Sequence, residues 1–205
     1  LEDCSCGRCA KDKGFDYGNQ WAYSSCKRLQ GSMAKRRHDL VAIVLKMAAI
    51  KAGYEVKYDS KDFFQKDSKR IDLTLYHGIG DRNKGIEVAI TNPQSPTYLA
   101  MSAVDPLKLA NEKEERKRRK YYSLGHELDL DISAFCVYTN GALGKQAYEV
   151  LENLASRIAK SRMYPSSTIN EFLELQARIA LAVNVGDHMM LRAASLGRRT
   201  RFNLA

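Results

Sequence analysis

A chain of 205 residues, 44% of them hydrophobic and 9% aromatic, is long enough to bury one sizeable core with room for a small appendage. It has no run of about 18 apolar residues, so no membrane-spanning helix is read here and no membrane partner is expected, and its first residues, LEDCSCGRC, lack the apolar stretch of a signal peptide. The formal net charge is +9, and the cations cluster at Lys35, Arg36 and Arg37, in EKEERKRRK at 112–120, and at Arg198, Arg199 and Arg201.

Clustered Lys and Arg are the electrostatic footprint of a phosphate-backbone partner. A solvated face on a basic protein carries the same clusters, so charge supports nucleic acid without establishing it. The absence of an initiator Met predicts a piece of a longer product.

Three zones follow one another: a Cys-rich stretch over residues 1–30, a compact α/β unit over 31–150, and a helical extension with a basic tail over 151–205. In the first zone lie Cys4, Cys6, Cys9 and Cys26, four of the five cysteines. Nothing else points to secretion, so metal binding is favoured over disulfides. Four thiolates suit one tetrahedral Zn²⁺. The spacing is irregular, with three thiols packed into CSCGRC, so a degenerate knuckle with free thiols competes. Cys136 lies in an apolar strand and reads as core.

The middle zone opens with SMAKRRHDLVAIVLKMAAIKAG. Leu40, Ile43, Val44, Met47 and Ile50 fall at helical spacing, and Gly53 is a stop. A strand at YEVKYD follows. Two more strands then flank a polar, Gly-containing turn in KRIDLTLYHGIGDRNKGIEVAITNP. Ile71, Leu73 and Leu75 point one way and Asp72 the other; Ile86, Val88 and Ile90 share a face opposite Glu87, Ala89 and Thr91. Next comes a long helix, with Asp105 as N-cap, Pro106 at its first position and Gly125 as stop. Its stripe of Leu107, Ala110, Glu114, Lys117, Tyr121 and Leu124 is apolar at both ends and charged in the middle. The strand ISAFCVYT and the turn-plus-helix NGALGKQAYEVLENLASRIA complete a mixed sheet flanked by helices.

Two acids inside neighbouring strands repel each other and lose hydration. A divalent cation relieves both costs: Mg²⁺ accepts one or two carboxylates, keeps several waters and engages substrate phosphates. Asp72 and Glu87 offer the carboxylates, and Lys117 a cation for developing negative charge. On spacing alone, Asp72 paired with Arg70 and Glu87 on a wet edge explains the same letters.

RID, followed after a short hairpin by IEV, resembles the PD-(D/E)XK nuclease pattern, with Ile71 in the proline position and Asp72, Glu87 and Ala89 at the D, E and K. A closer likeness is to the restriction-like endonuclease region at the C-terminal end of non-LTR retrotransposon polyproteins and related transposon-derived reading frames. It is carried by CSC, Arg37-His38-Asp39, KRID, EVAITNP, Lys117 to Tyr121, TNGALGKQA and LQARIALAV.

The resemblance implies a PD-(D/E)XK restriction-endonuclease-like core and a DNA endonuclease using Mg²⁺ or Mn²⁺. Such an enzyme nicks target DNA so that the exposed 3′ end primes reverse transcription. Ala89 departs from the pattern, and the missing lysine is then supplied by the later helix, as Lys117 or its competitor Lys120. Glu87 replaces the Asp usual in this branch and keeps the ligand type. Asp39 and Asp59 stand where the family often has further acids. Lys35, Arg36, Arg37, Arg116, Arg118, Arg119, Arg198, Arg199 and Arg201 are the expected phosphate contacts.

The competing expectation is a domesticated, catalytically silent relative that binds nucleic acid or builds a large RNA–protein assembly. A DNA-binding module using the zinc element alone is a third, which leaves the acids unexplained. All predict an intracellular protein, nuclear for an active retroelement product and organellar for a domesticated one.

Overall fold

The structure is a computed structural model that describes residues 32–60, 71–76, 82–161 and 166–202. Nine elements lie in these segments: α1 (Ser32–Lys51), β1 (Glu55–Ser60), β2 (Ile71–Tyr76), β3 (Asn83–Thr91), α2 (Pro96–Val104), α3 (Lys108–Glu127), β4 (Leu130–Tyr138), α4 (Lys145–Ser161) and α5 (Thr168–Phe202).

The strands form one sheet in the order β1-β2-β3-β4. β1 and β2 pair antiparallel, as do β2 and β3, while β3 and β4 are parallel from Asn83↔Leu130 to Thr91↔Tyr138. A parallel pair needs a crossover connection, and α2 with α3 provides it. The protein is therefore α/β, with a four-stranded mixed sheet flanked by helices, as the patterning predicts.

Alternation along the strands divides the core. Leu73, Leu75, Ile86, Val88, Phe135 and Val137 meet α1, α4 and α5 on one side of the sheet. Cys136 and Tyr138 pack with Leu109 and Ala110 of α3 on the other. Ile71 departs from the expected set: it packs with Tyr121 and Leu130 rather than with Leu73 and Leu75.

The inward face of α1 is rotated from the one its large residues suggest, with Leu40 and Val44 of the expected stripe left at the edge of the core. Val41, Ala42, Leu45, Ala48, Ala49 and Ala52 are buried, whereas Ile43, Met47 and Ile50 are exposed. The alanines let helices approach closely, and α5 lies along α1. Gly186 of α5 is one such contact, since a Cβ there would run into the side chain and backbone of Arg37. The Gly53 stop is realised. Tyr54 N–H donates to the Ala49 carbonyl and Gly53 N–H to Ile50, with Gly53 at φ +84°, which is a Schellman closure.

Asp105 caps the long helix, its Oδ1 accepting from Leu107 N (3.0 Å) and Lys108 N (3.1 Å). Gly125, expected as a stop, lies inside α3 instead. A Cβ there would sit 2.9 Å from the Leu130 carbonyl oxygen, so the missing side chain lets the helix end close against β4. α2 is an additional element that the sequence pattern does not predict, and its Tyr98 and Met101 pack against the cluster of Leu109, Ala110, Cys136 and Tyr138.

The expected boundary at residue 150 falls inside α4. Leu151, Leu154 and Ile158 of α4, with Leu175, Ile179 and Val183 of α5, join the same apolar cluster as the sheet. The backbone of Arg198, Arg199 and Arg201 continues α5. No helix among the described residues is long and apolar enough to cross a membrane.

Candidate functional site

Between β2 and β3 the ladder pairs Leu75↔Lys84, Thr74↔Gly85 and Leu73↔Ile86. At the next position a side chain replaces the backbone. Asp72 Oδ2 accepts Val88 N–H at 2.8 Å, so the carboxylate occupies the place where the strands part. The same oxygen lies 3.1 Å from His38 Nε2 of α1, and His38 Nδ1 lies 3.4 Å from Asp39 Oδ1. Burial of the imidazole works against its charge, but the bonds to and charges of Asp72 and then Asp39 outweigh it. The His38 pKa is raised above its ordinary 6.5.

Glu87 sits beside Asp72 and is only 3% exposed. Its Oε2 accepts Lys117 Nζ from α3 at 2.8 Å. Its Oε1 is buried with no hydrogen-bond partner among the described residues. Burial and then the Asp72 charge push the Glu87 carboxyl above its usual range, against the opposing pull of Lys117 and of a hydrogen bond with Tyr121. The Tyr121 phenol is raised in turn, by burial and by the Glu87 charge.

Of the two candidate lysines, Lys117 reaches Glu87. Lys120 is exposed and lies 3.5 Å from the Tyr121 hydroxyl, over that ring. Ala89 packs beside the cluster of Leu109, Ala110, Cys136 and Tyr138, so its position is apolar in this chain.

Asp39 is engaged elsewhere: it takes Lys35 Nζ at 2.9 Å and the Tyr58 hydroxyl at 3.2 Å, and it touches Asp72 only through the His38 ring. Asp59 lies in β1, and its side chain falls outside what the structure describes. Cys4, Cys6, Cys9 and Cys26, and the side chains of Arg198, Arg199 and Arg201, also lie outside the described residues.

Arg37 corrects an expectation. It is 6% exposed and ion-paired with Asp187 of α5, which removes it from any phosphate surface. Lys35 and Arg36 are exposed on the same helix. Arg116, Arg118 and Arg119 are exposed on α3. Hydrogen bonds from Arg118 and Arg119 hold the Glu115 carboxyl down at about 2. Cys136 is core as expected, its thiol pushed up to about 11 by burial.

Glu114 explains the other charge in the middle of the α3 stripe. Oε1 accepts Ala147 N at 3.0 Å and Cys136 N at 3.3 Å, and Oε2 accepts Gln146 N at 2.9 Å. It caps the start of α4 from a neighbouring helix. Gly144 is required beside it, because a Cβ there would collide with the Glu114 carboxylate.

His38 and Tyr121 are the site residues that the sequence reading did not assign. Both sat inside quoted motifs, but only the packing of α1 and α3 against the sheet brings them to Asp72 and Glu87.

Among the described residues there is no group of three or more His, Cys, Asp or Glu placed to hold a metal ion. The pair Asp72 and Glu87 nevertheless fits a hard divalent cation that takes one or two carboxylates and completes its shell with water. The buried Oε1 of Glu87 is an acceptor that such an ion would satisfy. No protein-family model matches the chain, and a search of the curated proteins finds no match.

Proposed function

We propose that this protein is a metal-dependent endonuclease with a PD-(D/E)XK restriction-like core of retroelement origin, hydrolysing DNA phosphodiesters. The observation that carries the reading is the half-satisfied Glu87: a buried carboxylate beside Asp72, one oxygen on Lys117 and the other without a partner among the described residues. The large majority of buried polar side-chain atoms are hydrogen-bonded, so the open Oε1 sets Glu87 apart from a carboxylate arranged only for stability. The coarse architecture, a mixed sheet flanked by helices, is compatible with that core.

Asp72 and Glu87 would hold Mg²⁺ or Mn²⁺, which supplies charge neutralisation at a phosphodiester oxygen and a more acidic water. Val88 N–H and His38 fix Asp72 from two sides, so the ligand is set before substrate arrives. Lys117 Nζ, 29% exposed at the side chain, is anchored on Glu87 yet open enough to meet negative charge developing on the phosphate. Arg116, Arg118 and Arg119 present cations along α3 to the backbone phosphates, and binding through them weakens steeply with salt.

A second reading, a catalytically silent nucleic-acid-binding or structural subunit of an RNA–protein assembly, is favoured by one observation. Lys117 Nζ, 2.8 Å from Glu87 Oε2, is a counter-charge that the chain itself supplies.

Nicking of supercoiled plasmid with Mg²⁺ or Mn²⁺, wild type beside Asp72→Ala, decides between them. The nuclease reading expects nicking that falls by on the order of 10³-fold in the variant. Wild-type protein that binds nucleic acid and never cuts would leave the silent-subunit reading.

A further inference from the structure

A groove of about 240 Å³ lies around the C-terminal part of α3, and its lining includes Arg82, Arg118, Tyr121, Tyr122, His126 and Asp131. Arg118, Tyr122 and His126 are four residues apart on one helix, so they form a single ridge. Arg82, just before β3, and Asp131 of β4 contribute from the sheet. Tyr122 is 70% exposed, so its ring is open to a ligand. Three of these groups, a phenol, an imidazole and a guanidinium, are planar and present a face to stack on.

The size selects the ligand class. About 240 Å³ is below the roughly 300–1,000 Å³ of sites for drug-sized molecules, and suits one planar ring system with polar edges. The two arginines carry the charge that a phosphate needs. Arg82 is held by Asp129 at 2.6 Å and Arg118 by Glu115 at 2.8 Å, exposed pairs that are cheap to exchange. Asp131 offers an acceptor for exocyclic amino groups. Tyr121 connects the groove to the carboxylate site, since it lines the one and hydrogen-bonds Glu87 in the other.

We propose that the groove takes one unstacked nucleotide of a single-stranded stretch of nucleic acid, its base against Tyr122 and its phosphates toward Arg82 and Arg118. This rests on the endonuclease reading, because it assigns the groove to the strand that runs past Asp72 and Glu87. Stacking on aromatic side chains tolerates any base. The groove therefore selects for strand state, favouring substrates that are open or frayed beside the cut.

The test is fluorescence anisotropy in EDTA with a labelled single-stranded oligonucleotide and a blunt duplex of the same sequence. Wild type is compared with Tyr122→Ala and Tyr122→Phe. Tyr122→Ala is expected to weaken single-strand binding by about 5- to 150-fold, the range of one lost base–aromatic stack. Duplex binding should stay within about twofold, since phosphate contacts dominate it, and Tyr122→Phe should bind like wild type.

Equal losses on both ligands, no loss on the single strand, or a Phe variant as weak as the Ala variant each overturn the proposal. So does wild-type protein with no single-strand binding. Turnover is not needed for any of these readouts. A protein that binds single strands through Tyr122 but never nicks plasmid sinks the nuclease reading alone, and one that nicks without a Tyr122 effect sinks the groove alone.

Discussion

Glu87 on β3 and Glu114 on α3 are chemically identical side chains, 3% and 1% exposed, each with its carboxyl pushed upward first of all by burial. Their surroundings diverge. Glu114 receives three backbone N–H groups across its two oxygens. Glu87 receives the Lys117 ammonium on Oε2 and a hydrogen bond from the Tyr121 phenol, faces the charge of Asp72, and leaves Oε1 without a partner among the described residues. A buried acid with both oxygens bonded is part of the scaffold, and one left half-satisfied beside a like charge is what the endonuclease reading asks of a metal ligand. Burial alone does not separate structure from function; the inventory of partners does.

The sharpest way to break this comparison is to make the same substitution at both places. Glu87→Gln is expected to reduce nicking by on the order of 10³-fold or more, since a neutral amide is a poor ligand for a hard cation. The same variant should melt higher in EDTA, by about 2–4 °C for each kcal/mol gained. It relieves the burial cost and the Asp72 repulsion that raise the Glu87 carboxyl, and its carbonyl can keep the part-exposed Lys117. Glu114→Gln should do the opposite. Its amide group would face Gln146 N–H, donor against donor, at a cost of about 1–3 kcal/mol, while the folded fraction keeps cutting. Thermal melts and plasmid nicking on both variants check this, and loss of stability in both would erase the distinction.

The origin of that contrast was only half visible in the sequence. The α3 stripe shows Glu114 and Lys117 as two charges among apolar residues, and spacing treats them alike. What separates them is which element lies opposite: the start of α4 for Glu114 and the interior of β3 for Lys117. Such pairings depend on tertiary contacts 30 or more residues apart, and no local pattern encodes them. Alternation did place Asp72 and Glu87 on the inward side of adjacent strands, because a period of two leaves little choice.

Helical spacing was less decisive. In α1 it favoured Leu40, Ile43, Val44, Met47 and Ile50; Leu40 and Val44 lie at the edge of the core, while the fully buried face is built from Val41, Leu45, Ala42, Ala48 and Ala49. Small residues carry weak hydrophobic signals but allow the close approach of α5. The swap of His38 for Asp39 at the carboxylate site follows from the same rotation, one residue along the same helix.

Cation binding sharpens the contrast with a smaller effect. Mg²⁺ that binds only the folded state raises stability by about 2.7 kcal/mol at one hundred times its dissociation constant. The melting temperature of wild type should climb with Mg²⁺ and that of Glu114→Gln should climb in parallel from a lower start. Glu87→Gln and Asp72→Ala should stay flat. A parallel rise in all four proteins would mean that the ion binds elsewhere, and the half-satisfied carboxylate would need another explanation.

The smallest effect concerns a third glutamate, which sets a surface reference for the two buried ones. Glu115 neighbours Glu114 in sequence, but it faces solvent and is held by Arg118 and Arg119 at 2.8 and 2.9 Å. Those hydrogen bonds lower its carboxyl from 4.5 to about 2. A depressed acid contributes stability that is present above its unfolded value and lost as pH falls through the folded one. The difference in melting temperature between wild type and Glu115→Gln should therefore be constant above pH 4.5 and shrink toward pH 2. Because both partners are exposed, the difference is small and fades with salt. Its larger consequence lies in binding. Removing the Glu115 charge frees Arg118 and Arg119 for phosphate, so Glu115→Gln should bind duplex a few-fold more tightly at low salt and with a steeper salt dependence. Unchanged affinity and slope would show that these arginines do not face the nucleic acid, and would move the phosphate surface off this part of α3.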